Sequence, residues 1–92
     1  MRPPPQIDGA DVVLWAWSEP APFFVMPYSD GSPGIPIHGL AICRYPKTGT
    51  IYKFSCNSEW ETQNDSAWDT VESATSGESG QYDVRSVQWQ AL

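Results

Sequence analysis

The stretch Ile37-His38-Gly39-Leu40-Ala41-Ile42-Cys43-Arg44-Tyr45-Pro46-Lys47-Thr48-Gly49-Thr50-Ile51-Tyr52-Lys53-Phe54-Ser55-Cys56 decides the fold. It reads as two runs rich in β-branched and aromatic residues, separated by a Pro-Lys-Thr-Gly turn in which Pro presets φ and Gly accepts the left-handed region. A turn centred between Lys47 and Thr48 pairs Gly39 with Cys56, Ala41 with Phe54 and Cys43 with Tyr52. Those six residues share one apolar face. The opposite face carries His38, Leu40, Ile42, Arg44, Lys53 and Ser55 and is mixed.

The same register decides the state of the cysteines. Cys43 and Cys56 fall on one face but about four residues apart along the ladder, roughly 13 Å. A disulfide needs Cα atoms within about 7 Å, so two free, buried thiols are expected, in keeping with a reducing compartment. Among apolar neighbours a thiol stays protonated and inert. His38 is the only histidine and no close-spaced Cys or His pair exists, so neither a nucleophilic centre nor a metal site is expected.

Working outward, residues 12–17 (Val-Val-Leu-Trp-Ala-Trp) are apolar on both alternating faces, as in a central strand covered on both sides. Val13, Trp15 and Trp17 share one face; Val12, Leu14 and Ala16 share the other. Residues 1–10, with their Pro tract and Gly9, read as an extended, loosely held lead-in. Residues 19–36 hold Pro20, Pro22, Pro27, Pro33 and Pro36, which predicts a long loop with no regular element longer than residues 23–26.

Beyond the hairpin, Ser66 and Asp69 resemble a capping box. Ala67, Trp68, Val71 and Ala74 then follow at helical spacing up to Gly77, a helix of about ten residues whose Trp68 and Val71 must dock on the sheet. Residues 77–81 read as a Gly/Ser-rich loop. Residues 83–92 read as a final strand with Val87, Trp89 and Ala91 on one face and a break at Val84. The chain is therefore expected to be one α+β domain over residues 1–92, with an antiparallel sheet of about four strands and one short helix packed on one face.

Ninety-two residues suit a single core. Hydrophobic residues at 40% against 17% charged exclude wholesale disorder. The net charge of -6 is unevenly spread. Residues 1–56 balance, whereas Glu59, Glu61, Asp65, Asp69, Glu72, Glu78 and Asp83 face only Arg85 in the remainder. Such a distribution disfavours direct nucleic-acid binding, which needs clustered Lys and Arg, and suits a protein partner with a basic surface. With no apolar leader and no apolar run long enough to span a bilayer, no membrane association and a cytoplasmic location are expected.

The carboxylates have polar neighbours (Asn57, Ser58, Thr62, Gln63 and Asn64), which predicts solvated groups unsuited to acid–base catalysis. Calcium-loop spacing and phosphate-cradling Gly motifs are both missing, so no cofactor and no enzymatic activity are expected. Trp60 lies between Glu59 and Glu61. An exposed ring there supplies an anchor while carboxylates steer a cationic partner. The candidate contact set is Glu59, Trp60, Glu61, Asp65, Asp69 and Glu72. The helical spacing of Trp68 reads as core.

Ala41-Ile42-Cys43-Arg44-Tyr45, Ile51-Tyr52-Lys53-Phe54-Ser55-Cys56, Trp60-Glu61, Asn64-Asp65, Asp69-Thr70-Val71-Glu72-Ser73-Ala74 and Val87-Gln88-Trp89 together resemble small bacterial immunity proteins. Those are cytoplasmic inhibitors that neutralise polymorphic or contact-dependent toxins. The resemblance spans residues 37–90 and implies one-to-one binding over a toxin active site through the contact set above. Two alternatives stand beside it. One is a phage-encoded inhibitor of a host defence system acting as a nucleic-acid mimic. The other is a small-molecule binder whose pocket is lined by Trp15, Trp17 and Trp89.

Overall fold

A computed structural model describes residues 1–28, 30–77 and 80–92. Ser29, inside the expected proline-rich loop, and Glu78 and Ser79, inside the expected 77–81 loop, lie outside the described residues. Strands β1 (Gln6–Ile7), β2 (Ala10–Trp17), β3 (Phe24–Met26), β4 (Ile35–Ile37), β5 (Gly39–Arg44), β6 (Ile51–Cys56) and β7 (Thr62–Trp68) precede helix α1 (Val71–Ser76). A single 3-10 turn at Val84–Ser86 and strand β8 (Gln90–Ala91) follow.

The central hairpin has the expected register: β5 and β6 pair Gly39 with Cys56, Ala41 with Phe54 and Cys43 with Tyr52. Gly49 takes φ 73° in the turn, and its N–H donates to the Tyr45 carbonyl at 2.7 Å. Cys43 and Cys56 are buried and free. β2 lies on the other side of β5, covered on both faces as its sequence demands.

The sheet is larger than the expected four strands. Six strands form it, in the order β1-β2-β5-β6-β7 with β8 also on β2, while β3 and β4 make a separate two-stranded ribbon. β1 arises because Asp8 and Gly9 both adopt positive φ, 50° and 82°, the two-residue turn that matches strand twist. Residues 5–10, expected to belong to a loosely held lead-in, are consequently tied to the sheet. Ile7 pairs with Ala10, both are buried, and the Val12 N–H donates to the Pro5 carbonyl at 3.0 Å.

The segment expected to open the helix is instead β7, pairing from Ile51↔Trp68 to Cys56↔Thr62. Thr-Gln-Asn-Asp-Ser-Ala-Trp is a poor strand former, but β6 carries backbone groups that need a partner on that side, and tertiary pairing outweighs propensity. The helix starts later and is shorter. Thr70, not Ser66, caps it: Thr70 Oγ1 accepts from the Ser73 N–H at 3.0 Å while Ser73 Oγ accepts from the Thr70 N–H at 3.1 Å. The expected strand over residues 83–92 shrinks to β8, because Asp83 caps the 3-10 turn through the Arg85 N–H.

A bulge between Val12 and Leu14 reassigns the faces of β2. Val12, in place of Val13, joins Trp15 and Trp17 against Ala41, Cys43, Phe54 and Cys56. The opposite face, expected to be mixed, is buried at Leu40 and Ile42, under Ile37 of the β3–β4 ribbon and Ala74 of α1 respectively. Each such fully buried aliphatic side chain contributes about 1.5–3 kcal/mol. The sheet thus separates two apolar layers.

Candidate functional site

β7 ends the sheet order, and no strand pairs with its outer side among the described residues. In an antiparallel edge strand about half the backbone N–H and C=O groups face outward and are free to pair. The acidic residues follow this edge. Glu59 and Glu61 precede β7, Asp65 lies in its middle, Asp69 follows it, and Glu72 stands in the first turn of α1. All five are exposed. The one ion pair among the described residues joins Arg85 to Asp83, so none of the five is neutralised by a cation. Glu61 Oε1 accepts a hydrogen bond from Asn57 Nδ2 at 2.8 Å.

Trp60 does not belong to this surface. It is only 7% exposed and packs in the core with Trp15, Phe54 and Cys56. The turn that joins β6 to β7 is organised by Asn57, whose Oδ1 accepts from both the Glu59 and Glu61 N–H groups at 2.9 Å. This turn holds Trp60 at φ 62°, and its ring lies on Gly39, edge-on to Trp15 with centroids 6.3 Å apart. The acidic flanks therefore stay in water while the ring between them turns inward. Trp68, read as core, is half-buried: its ring rests on Gly77 and its Nε1 donates to Ser66 Oγ at 2.8 Å.

A second feature escaped the sequence reading. Lys53, assigned to a mixed face, is 7% exposed and is the only buried charged side chain among the described residues. Its Nζ donates to the Ala74 carbonyl near the C-terminal end of α1 at 3.0 Å, and sits 4.6 Å from the Trp68 ring centroid and 5.8 Å from that of Tyr82. Burial lowers its pKa from the ordinary lysine value. It lines a cleft of about 270 Å³ together with Ser55, Asn64, Ser66, Trp68, Gln81 and Tyr82. No local signal marks this burial: Lys53 alternates with Tyr52 and Phe54 and so takes the opposite face, on which Arg44 of β5 stays exposed.

The other sequence candidates are dispersed. Trp15 and Trp17 pack on one side of the sheet and Trp89 on the other, so the three do not share a pocket; Trp17 lines an open cleft with Pro22, Phe23 and Tyr82. His38 Nδ1 lies 2.7 Å from the Ser18 carbonyl, and its ring lies tilted by 31° against Trp17 with centroids 5.8 Å apart. Burial pushes both the Cys43 and Cys56 thiols up to about 12. Among the described residues no group of three or more His, Cys, Asp or Glu could hold a metal ion, and no helix is long and apolar enough to cross a membrane. No family model, no curated protein and no solved structure matches the chain.

Proposed function

We propose that this chain is a small acidic binding protein, of the immunity type, that engages a basic surface or active-site groove of a cognate toxin along the outer edge of β7. The observation that supports it most is the coincidence of an unpaired edge strand with exposed carboxylates that lack counter-ions. An extended segment of the partner can add to the edge by backbone hydrogen bonds while its Lys or Arg side chains meet Glu61, Asp65 and Asp69. Glu59 and Glu72 extend the acidic surface at its two ends, and Trp60 supports it from the core without making contact.

The spacing favours a protein partner's groove over imitation of a nucleic acid. Glu61, Asp65 and Asp69 follow one another at four-residue intervals, about 13 Å in an extended chain. Phosphates of one DNA strand recur about every 3.4 Å along the axis, so three carboxylates at this interval are too sparse to reproduce them.

The test is co-expression of this chain with the product of each gene flanking its own. One product is expected to arrest growth, the chain to relieve the arrest, and the Glu61→Lys/Asp65→Lys/Asp69→Lys variant to lose relief while keeping its far-UV circular dichroism. Relief that survives charge reversal removes the acidic edge from the interface. Arrest unaffected by the chain for every flanking product ends the immunity reading.

A further inference from the structure

Lys53 is a nearly buried cation that lines a cleft open to solvent. An ammonium taken out of water costs several kcal/mol unless a counter-charge repays it. None of the described Asp and Glu residues lies within ion-pair distance of Nζ. One of the three Nζ donors is used, on the Ala74 carbonyl. Trp68 and Tyr82 present ring faces, which attract the cation without neutralising it.

The groups beside Lys53 are also left open. Ser55 is 8% exposed, and neither its hydroxyl nor the Asn64 side-chain amide makes a hydrogen bond among the described residues. Register places these groups together: Lys53 pairs with Ser66 and Ser55 with Asn64, so the four occupy one patch of two neighbouring strands. A buried cation, a buried hydroxyl and an amide therefore converge on one cleft that opens to solvent.

We propose that this cleft binds a small carboxylate, whose oxygens take Lys53 Nζ, Ser55 Oγ and Asn64 Nδ2 as donors. A monoanion fits because the site offers one positive charge and otherwise neutral donors, and the aromatic walls suit a planar group beside the carboxylate. The volume of about 270 Å³ falls just below the usual range for ligand pockets, which leaves room only for a compact acid. The cleft takes Asn64, Ser66 and Trp68 from β7, on whose outer edge the partner is proposed to pair, but none of Glu61, Asp65 and Asp69 lines it. The depressed pKa of Lys53 adds a signature, since binding must weaken as rising pH removes its proton.

Titration of the intact chain with sodium benzoate, with benzamide as the neutral isostere, tests the proposal by calorimetry and thermal shift. Benzoate is expected to bind saturably and raise the melting temperature, benzamide to do neither, and Lys53→Met to weaken benzoate by about tenfold or more, the usual cost of a lost charge-assisted hydrogen bond. Ser66→Asp covers the case in which Lys53→Met fails to fold. It sets a carboxylate directly across from Lys53, and is expected to raise the melting temperature and abolish benzoate binding by occupying the site from within. Absence of saturable benzoate binding, an equal response to benzamide, or binding that survives Ser66→Asp overturns the proposal.

Discussion

Gly39→Ala, taken alone and in a Trp60→Leu background, measures the contact that turns Trp60 inward. Gly39 does not occupy the left-handed region, so its backbone accepts alanine, and within a strand that exchange by itself favours folding by about 0.5–1 kcal/mol. Against this, a Cβ on residue 39 meets the Trp60 ring at 2.6 Å from Cζ3, 2.8 Å from Cε3 and 2.9 Å from Cη2, closer than real Cβ contacts allow. The ring is hemmed on two sides, by Trp15 edge-on at 6.3 Å and by Trp17 tilted at 5.5 Å. Overpacking of this kind costs about 1–3 kcal/mol, which leaves a net effect between about zero and a loss of roughly 2.5 kcal/mol. Leucine at position 60 lacks the indole atoms that clash, so there Gly39→Ala is expected to be neutral or slightly stabilising. The coupling between the two sites is then about 1–3 kcal/mol. Urea unfolding followed by far-UV circular dichroism reads it as a midpoint shift, using a slope of about 1–3 kcal/mol per molar urea. An equal cost of Gly39→Ala in both backgrounds refutes the placement of Trp60 over Gly39.

Thr70→Ala removes the cap of α1 and is expected to cost about 1 kcal/mol in urea unfolding. Asn57→Ala leaves the Glu59 and Glu61 N–H groups without their acceptor; about 1–3 kcal/mol of stability and greater quenching of tryptophan emission by acrylamide are expected as Trp60 loosens. Gly9→Ala forces a Cβ into φ 82° and should cost about 1–2 kcal/mol, whereas Asp8→Asn, at φ 50°, should be tolerated. The thiols give a pH dependence. With folded values raised to about 12 from an ordinary 9.0, the unfolded chain loses its thiol protons first, so their contribution to stability is full below pH 9 and is lost as pH rises toward 12. Unfolding free energies at pH 7 and about pH 10 should therefore differ more for the native chain than for Cys43→Ala/Cys56→Ala. Native Cys43 and Cys56 should also resist thiol reagents until the chain unfolds.

The legible part of the fold was the part specified by local pairing. Pro46 to Gly49 set a turn, the turn set a register, and the register set the separation of Cys43 and Cys56; nothing distant had to be known. The Asp8-Gly9 hairpin was equally local and was masked by the Pro tract before it, which drew attention to extended, solvated backbone. The bulge in β2 was not legible, because Val12 and Val13 are both apolar and either can face the core; the choice falls to the pairing of Leu14 with Ile42. β7 was hidden for a different reason. Its residues prefer turns and caps, and only the unpaired side of β6 makes them a strand.

That reversal at β7 changes what the acidic residues can do. On a helix, Asp65 and Asp69 would be neighbours about one turn apart, a compact negative spot suited to one or two cations. On an extended strand the same four-residue interval is about 13 Å, and Glu61 to Asp69 covers roughly 26 Å. At that separation exposed carboxylates are mostly screened from one another at physiological salt, so they repel little and the edge can carry them at small cost to stability. They cannot act on one point, but they can fix the register of an extended partner segment whose cations recur at the same interval. They also keep the edge from pairing with a second copy of itself, because like charges would face each other along the seam. In the binding role proposed above the edge would discriminate by sign, disfavouring acidic strands and its own copy and leaving its outward backbone groups to a basic segment.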